Sequence, residues 1–298
     1  MTELVETRKR FAQELRRTAQ LRTEGLVRAF AEVPRERFLP PGPWSVWNMA
    51  TWAYERTPDA DPAHLYFDAP VGIDPTRFLN NGQPSFVAGL IDALELRSGD
   101  SVAHVGAGTG YFTAAIATTV GPTGSVMAIE LDSELAARAA HNLSPWRQVT
   151  IVNADGCQHD LGQVDAILVN AGATAPRPLW LDSLRPGGRL VLPLVRWPKQ
   201  GKDAGASGRG IVFRVERRGD AYAASVLRPV VIFPCVGGID PEADQSLAEA
   251  MARLDQGELI RSLRRDKHER LSTCWLHGDG YCFSQLPVGA RSRSEPES

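Results

Sequence analysis

Long apolar runs are missing from this chain. No stretch of its 298 residues approaches the ~18 uninterrupted apolar residues that a membrane-spanning helix needs, so no membrane is expected among its partners. The N-terminal stretch MTELVETRKRFAQELRRTAQ mixes both charges where a secretory signal would carry an apolar core. Cysteine is scarce: Cys157, Cys235, Cys274 and Cys282 are the four, and no two form a CxxC pair. That spacing argues against a zinc site and a disulfide framework, so the expectation is no metal and a reducing, cytoplasmic setting. An excess of either charge is also missing. With 33 Lys+Arg against 35 Asp+Glu and a net charge of -2, no long-range field draws in nucleic acid or an anionic surface. Internal repeats are absent as well.

What is present is an alternation of two periods. Leu4, Phe11, Leu15, Leu21, Leu26 and Phe30 recur among charges at helical spacing, predicting one or two amphipathic helices. From Pro40 to about Asp74 the texture turns irregular and aromatic, with Trp44, Trp47, Trp52 and Tyr54. A helix over Phe86 to Leu94, the strand SVAHV, a glycine-rich turn and the helix YFTAAIATTV follow. Further strands are expected at VMAIEL, VTIVNA, AILVNA and RLVLPLV. Strands alternating with helices predict an α/β, Rossmann-like fold with a mostly parallel sheet. After a loop from Lys199 to Gly210, a hairpin turning at Gly219-Asp220 adds an antiparallel C-terminal extension. The division expected is 1–75 as a helical and Trp-rich substrate-side elaboration, 76–240 as the core, and 241–298 as a helical and hairpin elaboration with a polar, frayed tail.

The sharpest local signal is VGAGTGY, residues 105–111, directly after a strand and opening a helix. Its glycines let backbone approach a ligand at the carboxyl end of the first strand. The spacing of Gly106, Gly108 and Gly110, with Ala107 and Thr109 between them, is G-x-G-x-G rather than G-x-G-x-x-G, which suits a nucleoside without a pyrophosphate. Glu130, followed by Leu131, ends the second strand where a carboxylate accepts from ribose hydroxyls. Asp155-Gly156 ends the third, placed to accept adenine amino hydrogens, and Asn170 closes the fourth, under the transferable methyl. Any one of these acids alone reads equally as a helix cap. Together and in order they imply S-adenosylmethionine.

Four stretches carry a family resemblance over roughly residues 20–240: VPRERFLP (33–40), the block from Gln83-Pro84 to Gly110-Tyr111, VDAILVNAG (164–172) and LRPGGRLVLP (184–193). On these the chain resembles the protein-L-isoaspartate O-methyltransferases, within the class I methyltransferases. The resemblance implies that Gly106 to Gly110 hold the methionine moiety, Glu130 the ribose, and Asp155 with Gly156 the adenine. On the acceptor side the chain departs from it. The family's loop carries a Thr-x-Ser pair, and aligning on Gln83-Pro84 puts Asn80 and Gly82 in those places.

These departures set the expectations for the acceptor. Asn80, Asn81, Gln83 and Ser85 are candidate substrate contacts, while Asn81 or Ser85 alternatively caps the following helix. Trp47, Trp52 and Tyr54 are candidates for a wall against a flat or apolar acceptor. Asp68, Ser85 and His277 are the candidate catalytic groups, needed only where the acceptor has a proton to lose. The leading expectation is a methyltransferase redirected to a peptide-derived aromatic small molecule, for example indole C-methylation of a tryptophan-containing cyclic dipeptide in specialised metabolism. The alternative is a carboxyl O-methyltransferase acting on isoaspartyl or aspartyl residues of proteins or ribosomal peptides. Either way the partner is a small molecule or short peptide, and nothing in the sequence reads out an oligomeric state.

Overall fold

The computed structural model describes residues 2–74, 77, 79–197, 208–254 and 259–290. They divide into two compact units, Met1–His159 and Asp160–Ser298. In the first unit the amphipathic N-terminal pattern becomes α1 (Thr2–Thr18) and α2 (Glu24–Glu32). Phe11, Ala12 and Leu15 of α1 and Leu26, Val27, Ala29 and Phe30 of α2 are buried, the stripe that the period of 3.6 requires. A 3-10 turn (Arg35–Phe38) follows, then β1 (Ser45–Asn48) and β2 (Ala53–Arg56), paired antiparallel. The Trp-rich segment is therefore a hairpin, not the irregular loop expected from its sequence. Its alternation is masked because each strand is only four residues long. Strands β3 (Gly72–Asp74) and β4 (Leu79–Asn80) pair antiparallel and lead into α3 (Pro84–Asp92). Asp92, at the end of α3, accepts from the backbone N–H groups of Arg22 (3.1 Å) and Thr23 (2.8 Å). A carboxylate from another helix thus satisfies donors of the chain entering α2, near its positive end.

Next come β5 (Ser101–Val105), α4 (Tyr111–Val120), β6 (Ser125–Glu130), α5 (Ser133–Asn142) and β7 (Val149–Asn153). The three strands are parallel and in register, with Val105 beside Ile129 and Glu130 beside Asn153. Their carboxyl ends therefore lie along one edge, with Gly106, Glu130 and Asp155 at or just beyond them. Beneath that edge His104 is fully buried, as its place inside a core strand predicts. Its Nδ1 lies 2.9 Å from the Thr113 hydroxyl and its Nε2 has no partner. Burial pushes its pKa down to about 4. The unfolded chain takes up this proton near pH 6.5 and the native state does not, so stability present above that pH is lost as pH falls towards 4. The expected loss is about 3 kcal/mol. Urea titrations at a series of pH values check it, and His104→Gln should flatten the slope.

In the second unit β8 (Val164–Val169) runs parallel to β9 (Leu184–Arg196), with α6 (Pro178–Asp182) between them. From β9 the pairing is antiparallel, through β10 (Gly208–Arg218) to β11 (Ala221–Ile232), turning at Gly219 with φ +65° as expected. After α7 (Pro241–Leu254), β12 (Ser262–Arg264), β13 (Cys274–Gly278) and β14 (Tyr281–Ser284) complete the antiparallel extension. Phe213, Trp275 and Phe283 form its aromatic core, the Phe213 ring 5.3 Å from Trp275 and 4.6 Å from Phe283. Most of the expected 199–210 loop and the end of the expected tail, residues 291–298, lie outside the described residues.

Candidate active site

The glycine-rich turn is held by the acid that the sequence paired with it. Glu130 Oε2 accepts from the Gly108 N–H at 2.7 Å, and Oε1 accepts from the Asp132 N–H at 3.0 Å. Each carboxylate oxygen has two lone pairs, so one per oxygen remains for a ligand. Gly110 sits at φ +97°, and a Cβ there would come within 2.6 Å of Leu143. The turn closes only without that carbon. Gly156 is restricted by packing instead, since a Cβ would lie 2.5 Å from Val105 Cγ1. Leu131 remains 48% exposed beside Glu130, an apolar shelf at the open end of the strand. Asp155 is tied locally, accepting from the Cys157 N–H (2.9 Å) and the Gln158 side-chain amide (2.8 Å).

A second knot forms in front of α3. Asp68 accepts from the Ser85 N–H (2.7 Å), the Ser85 hydroxyl (2.6 Å) and the Gln83 amide (2.9 Å). The helix cap is thus a carboxylate from 17 residues upstream. Neither Ser85 nor Asn81 caps the helix as the sequence had suggested: Ser85 donates rather than accepts. Asn81 Oδ1 instead accepts from the Val71 N–H (2.9 Å) and Arg35 Nη2 (3.2 Å). Asn80 folds back to accept the Gly82 N–H at 2.9 Å and reaches the Tyr54 hydroxyl.

Arg35, from the VPRERFLP motif, holds the strand of chain that carries Asp68. It is fully buried, and its guanidinium donates to the carbonyls of Leu65 (2.6 Å), Phe67 (3.1 Å) and Ala69 (2.8 Å). With no carboxylate bonded to it, burial lowers its pKa to about 10, so it remains a cation at neutral pH. The Tyr66 hydroxyl accepts from the Arg35 N–H (3.1 Å) and Arg8 Nε (3.0 Å) and donates to Glu36. Arg37 makes the other link: its Nε donates to the Asn142 carbonyl (2.6 Å), and the Asn142 amide donates to the Thr109 carbonyl (3.0 Å). One motif therefore braces both the acceptor-side loop and the glycine turn.

The tryptophans separate by role. Trp44 is buried, its indole N–H bonded to the Pro40 carbonyl at 2.7 Å, in a cluster with Leu39, Val46, Leu65, Val71 and Ile73. Trp47 packs edge-on against Tyr54 (5.1 Å) and Trp52 (6.3 Å), and Trp52 itself is 71% exposed. Trp47, Arg56, His64, Phe67 and Asp68 are among the residues lining an open cleft of about 420 Å³. The hairpin and the Asp68 knot thus face one cavity. Asn170 follows β8 in the second unit. His277 lies there in the hairpin β13–β14, its ring 4.8 Å from that of His268, with burial lowering its pKa.

The model of the Protein-L-isoaspartate(D-aspartate) O-methyltransferase family matches residues 6–207. The chain belongs to that family. It is an S-adenosylmethionine-dependent methyltransferase. Among curated relatives, a protein-L-isoaspartate O-methyltransferase of Ignicoccus hospitalis is 30% identical over 220 residues, covering 72% of this chain and 90% of the relative. One of Methanothrix thermoacetophila is 36% identical over 177 residues, covering 58% and 74%. Among solved structures, a protein-L-isoaspartate O-methyltransferase superposes with a TM-score of 0.60 at 20% identity, over 82% of this chain and 69% of that one. A Plasmodium falciparum protein described as a putative protein-L-isoaspartate O-methyltransferase, in complex with S-adenosyl-L-homocysteine, gives 0.57 at 18%, over 76% and 97%. These likenesses establish the Rossmann-like fold. None of the matches supports the expected redirection to an aromatic metabolite, and the alternative fits them better.

In this isoaspartyl methyltransferase-family chain, the motif that carries Arg35 and Arg37 does not by itself reveal the task of either arginine. The signal available was a charged run, Arg35-Glu36-Arg37, set between apolar residues, Val33 on one side and Phe38-Leu39 on the other, that go to the core. Tyr66 and Asn142 carried no signal, because their partners are 30 and 33 residues away or more. No helix among the described residues is long and apolar enough to cross a membrane.

Proposed function

We propose that this methyltransferase esterifies the side-chain carboxylate of an isoaspartyl or aspartyl residue in a protein or peptide, in the cytoplasm. The observation that carries the reading is that Asp68 and Ser85, the candidate bases in front of α3, are already engaged. Asp68 already accepts three hydrogen bonds, and Ser85 gives its proton to Asp68. An acceptor that must lose a proton would need one of them free. A carboxylate needs none.

The cofactor site fits this role. Glu130 keeps a lone pair on each oxygen for ribose hydroxyls, Leu131 offers apolar surface to the adenine, and Asp155 with Gly156 borders it. The Gly106–Gly110 turn, with Ala107 and Thr109, leaves room above Gly108, where an added Cβ would meet nothing within 4 Å. When bound, S-adenosylmethionine would supply an electrophilic sulfonium methyl, which the acceptor carboxylate takes in line as the thioether leaves, with no proton to remove. The chain's own task is to align the acceptor and exclude water. Arg35 and Asp68 fix the loop, Trp47, Trp52 and Tyr54 flank the peptide, and Asn80, Asn81, Gln83 and Ser85 shape the loop beside it. Arg56, lining the same cleft, offers a cation to the acceptor's charge. The family's missing Thr-x-Ser hydroxyls are replaced here by a loop rigidified through carboxylate and amide groups.

The test is the stability of the product. Incubation with methyl-labelled S-adenosylmethionine and an isoaspartyl peptide, beside its aspartyl counterpart, should give label that is released as methanol at mildly alkaline pH. Label that survives base, or transfer only to tryptophan-containing cyclic dipeptides, would rule out the carboxylate acceptor.

A further inference from the structure

We propose that His268, Cys274, His277 and Cys282 form a closed, tetrahedral zinc site that clasps the C-terminal hairpin. The four side chains each offer one ligand atom, and these atoms lie within 4.8 Å of one another. Both cysteines are free and buried. Bonds of ~2.3 Å to sulfur and ~2.0 Å to nitrogen at tetrahedral angles place sulfur and nitrogen ~3.5 Å apart. Cys274 Sγ and His268 Nε2 stand 3.5 Å apart. Drawing the widest-spaced atoms inwards by ~1 Å, within reach of side-chain rotation, completes the geometry.

Strand pairing explains how residues with no CxxC spacing converge. His277 and Cys282 are direct cross-strand partners and so share a face of the β13–β14 hairpin. Cys274, three residues before His277, would point to the opposite face in a regular strand. The register shift between Cys274 and Leu276 leaves Trp275 as the extra residue and pairs Cys274 with Ser284, which returns Cys274 to the face of Cys282. His268 arrives from the loop before β13.

The surroundings are those of a metal ligand set. His268 Nδ1 lies 2.9 Å from the Asp266 carbonyl oxygen and 3.3 Å from its carboxylate. A proton held on Nδ1 leaves the Nε2 lone pair directed at the cluster, the outer-shell arrangement common to histidine ligands. The Leu271 N–H donates to Cys274 Sγ at 3.3 Å, a contact that stabilises a thiolate. His277 Nδ1 is buried and has no hydrogen-bond partner. A metal ion would satisfy it. Binding replaces the two thiol protons, which go to solvent, and ties the 265–273 loop to the hairpin. Four protein ligands close the coordination sphere, so the role is structural.

Full-length protein purified in reducing buffer should carry about one zinc per chain by plasma mass spectrometry. Cys282→Ser and His268→Gln should each abolish it, with S-adenosylmethionine affinity confirming that the chain still folds. Should those variants prove insoluble, stripped and reduced wild-type protein titrated with Co²⁺ should develop thiolate-to-cobalt charge transfer and tetrahedral d–d bands. Substoichiometric zinc together with no such spectrum would overturn the site. So would zinc content unchanged in Cys282→Ser, or a Cys274–Cys282 disulfide in metal-free protein as purified.

Discussion

Replacing Arg35 with methionine is expected to lower the free energy of unfolding by ~3–5 kcal/mol and to abolish transfer to peptide. The guanidinium is fully buried and donates to three backbone carbonyls and to Asn81. Methionine fills most of the volume but donates nothing. The carbonyls of Leu65, Phe67 and Ala69 are then left without their donor, at about 1–3 kcal/mol each where they stay dry. Relaxation of the loop towards water reduces the total. That relaxation also moves Asp68, and with it the Gln83 and Ser85 contacts that order the start of α3. Arg35→Lys keeps the charge but reaches fewer carbonyls, so it should recover part of the stability and little of the activity. Urea denaturation measures the first effect, and kcat and KM for the peptide measure the second. A loss below ~1 kcal/mol would mean that the carbonyls find other donors.

Replacing Glu130 with alanine is expected to weaken S-adenosylmethionine binding about 100-fold. Two contributions combine. On the proposed reading charge-assisted bonds to ribose hydroxyls are lost, and the Gly108 and Asp132 N–H groups lose the acceptors that hold the turn. Glu130→Gln retains one oxygen acceptor, so its effect should be nearer 10-fold. Calorimetric titration with S-adenosylmethionine separates the two variants, and a melt without ligand shows whether the turn itself has loosened. A change under ~3-fold for the alanine variant would mean that Glu130 serves only the turn.

The parts of the site legible in the sequence are those whose physics is local. Gly106, Gly108 and Gly110 announce themselves because backbone at positive φ selects glycine. Glu130 and Asp155 do so because parallel strands end along one edge, so a residue's place in the chain gives its place at the site. The acceptor side was harder to read. Ser85 and Asn81 looked like caps because a short polar residue before a helix usually is one. The acid that does the capping, Asp68, lies too far upstream for any local rule to find. The Trp44–Tyr54 segment hid a hairpin, since strands of four residues each are too short for alternation to mark them.

The sequence by itself determined the fold class, the family and the methyl donor, because each follows from hydrophobic period and from motifs contiguous along the chain. Tertiary structure decided which polar groups are already committed, Arg35 to its carbonyls and Asp68 to Ser85 and Gln83, and which are drawn together, His277 with two cysteines that no spacing rule connects. Hydrogen-bond saturation and strand register are properties of groups brought together across tens of residues. A linear reading lists the candidates for chemistry, and only the folded chain shows which of them remain free to perform it.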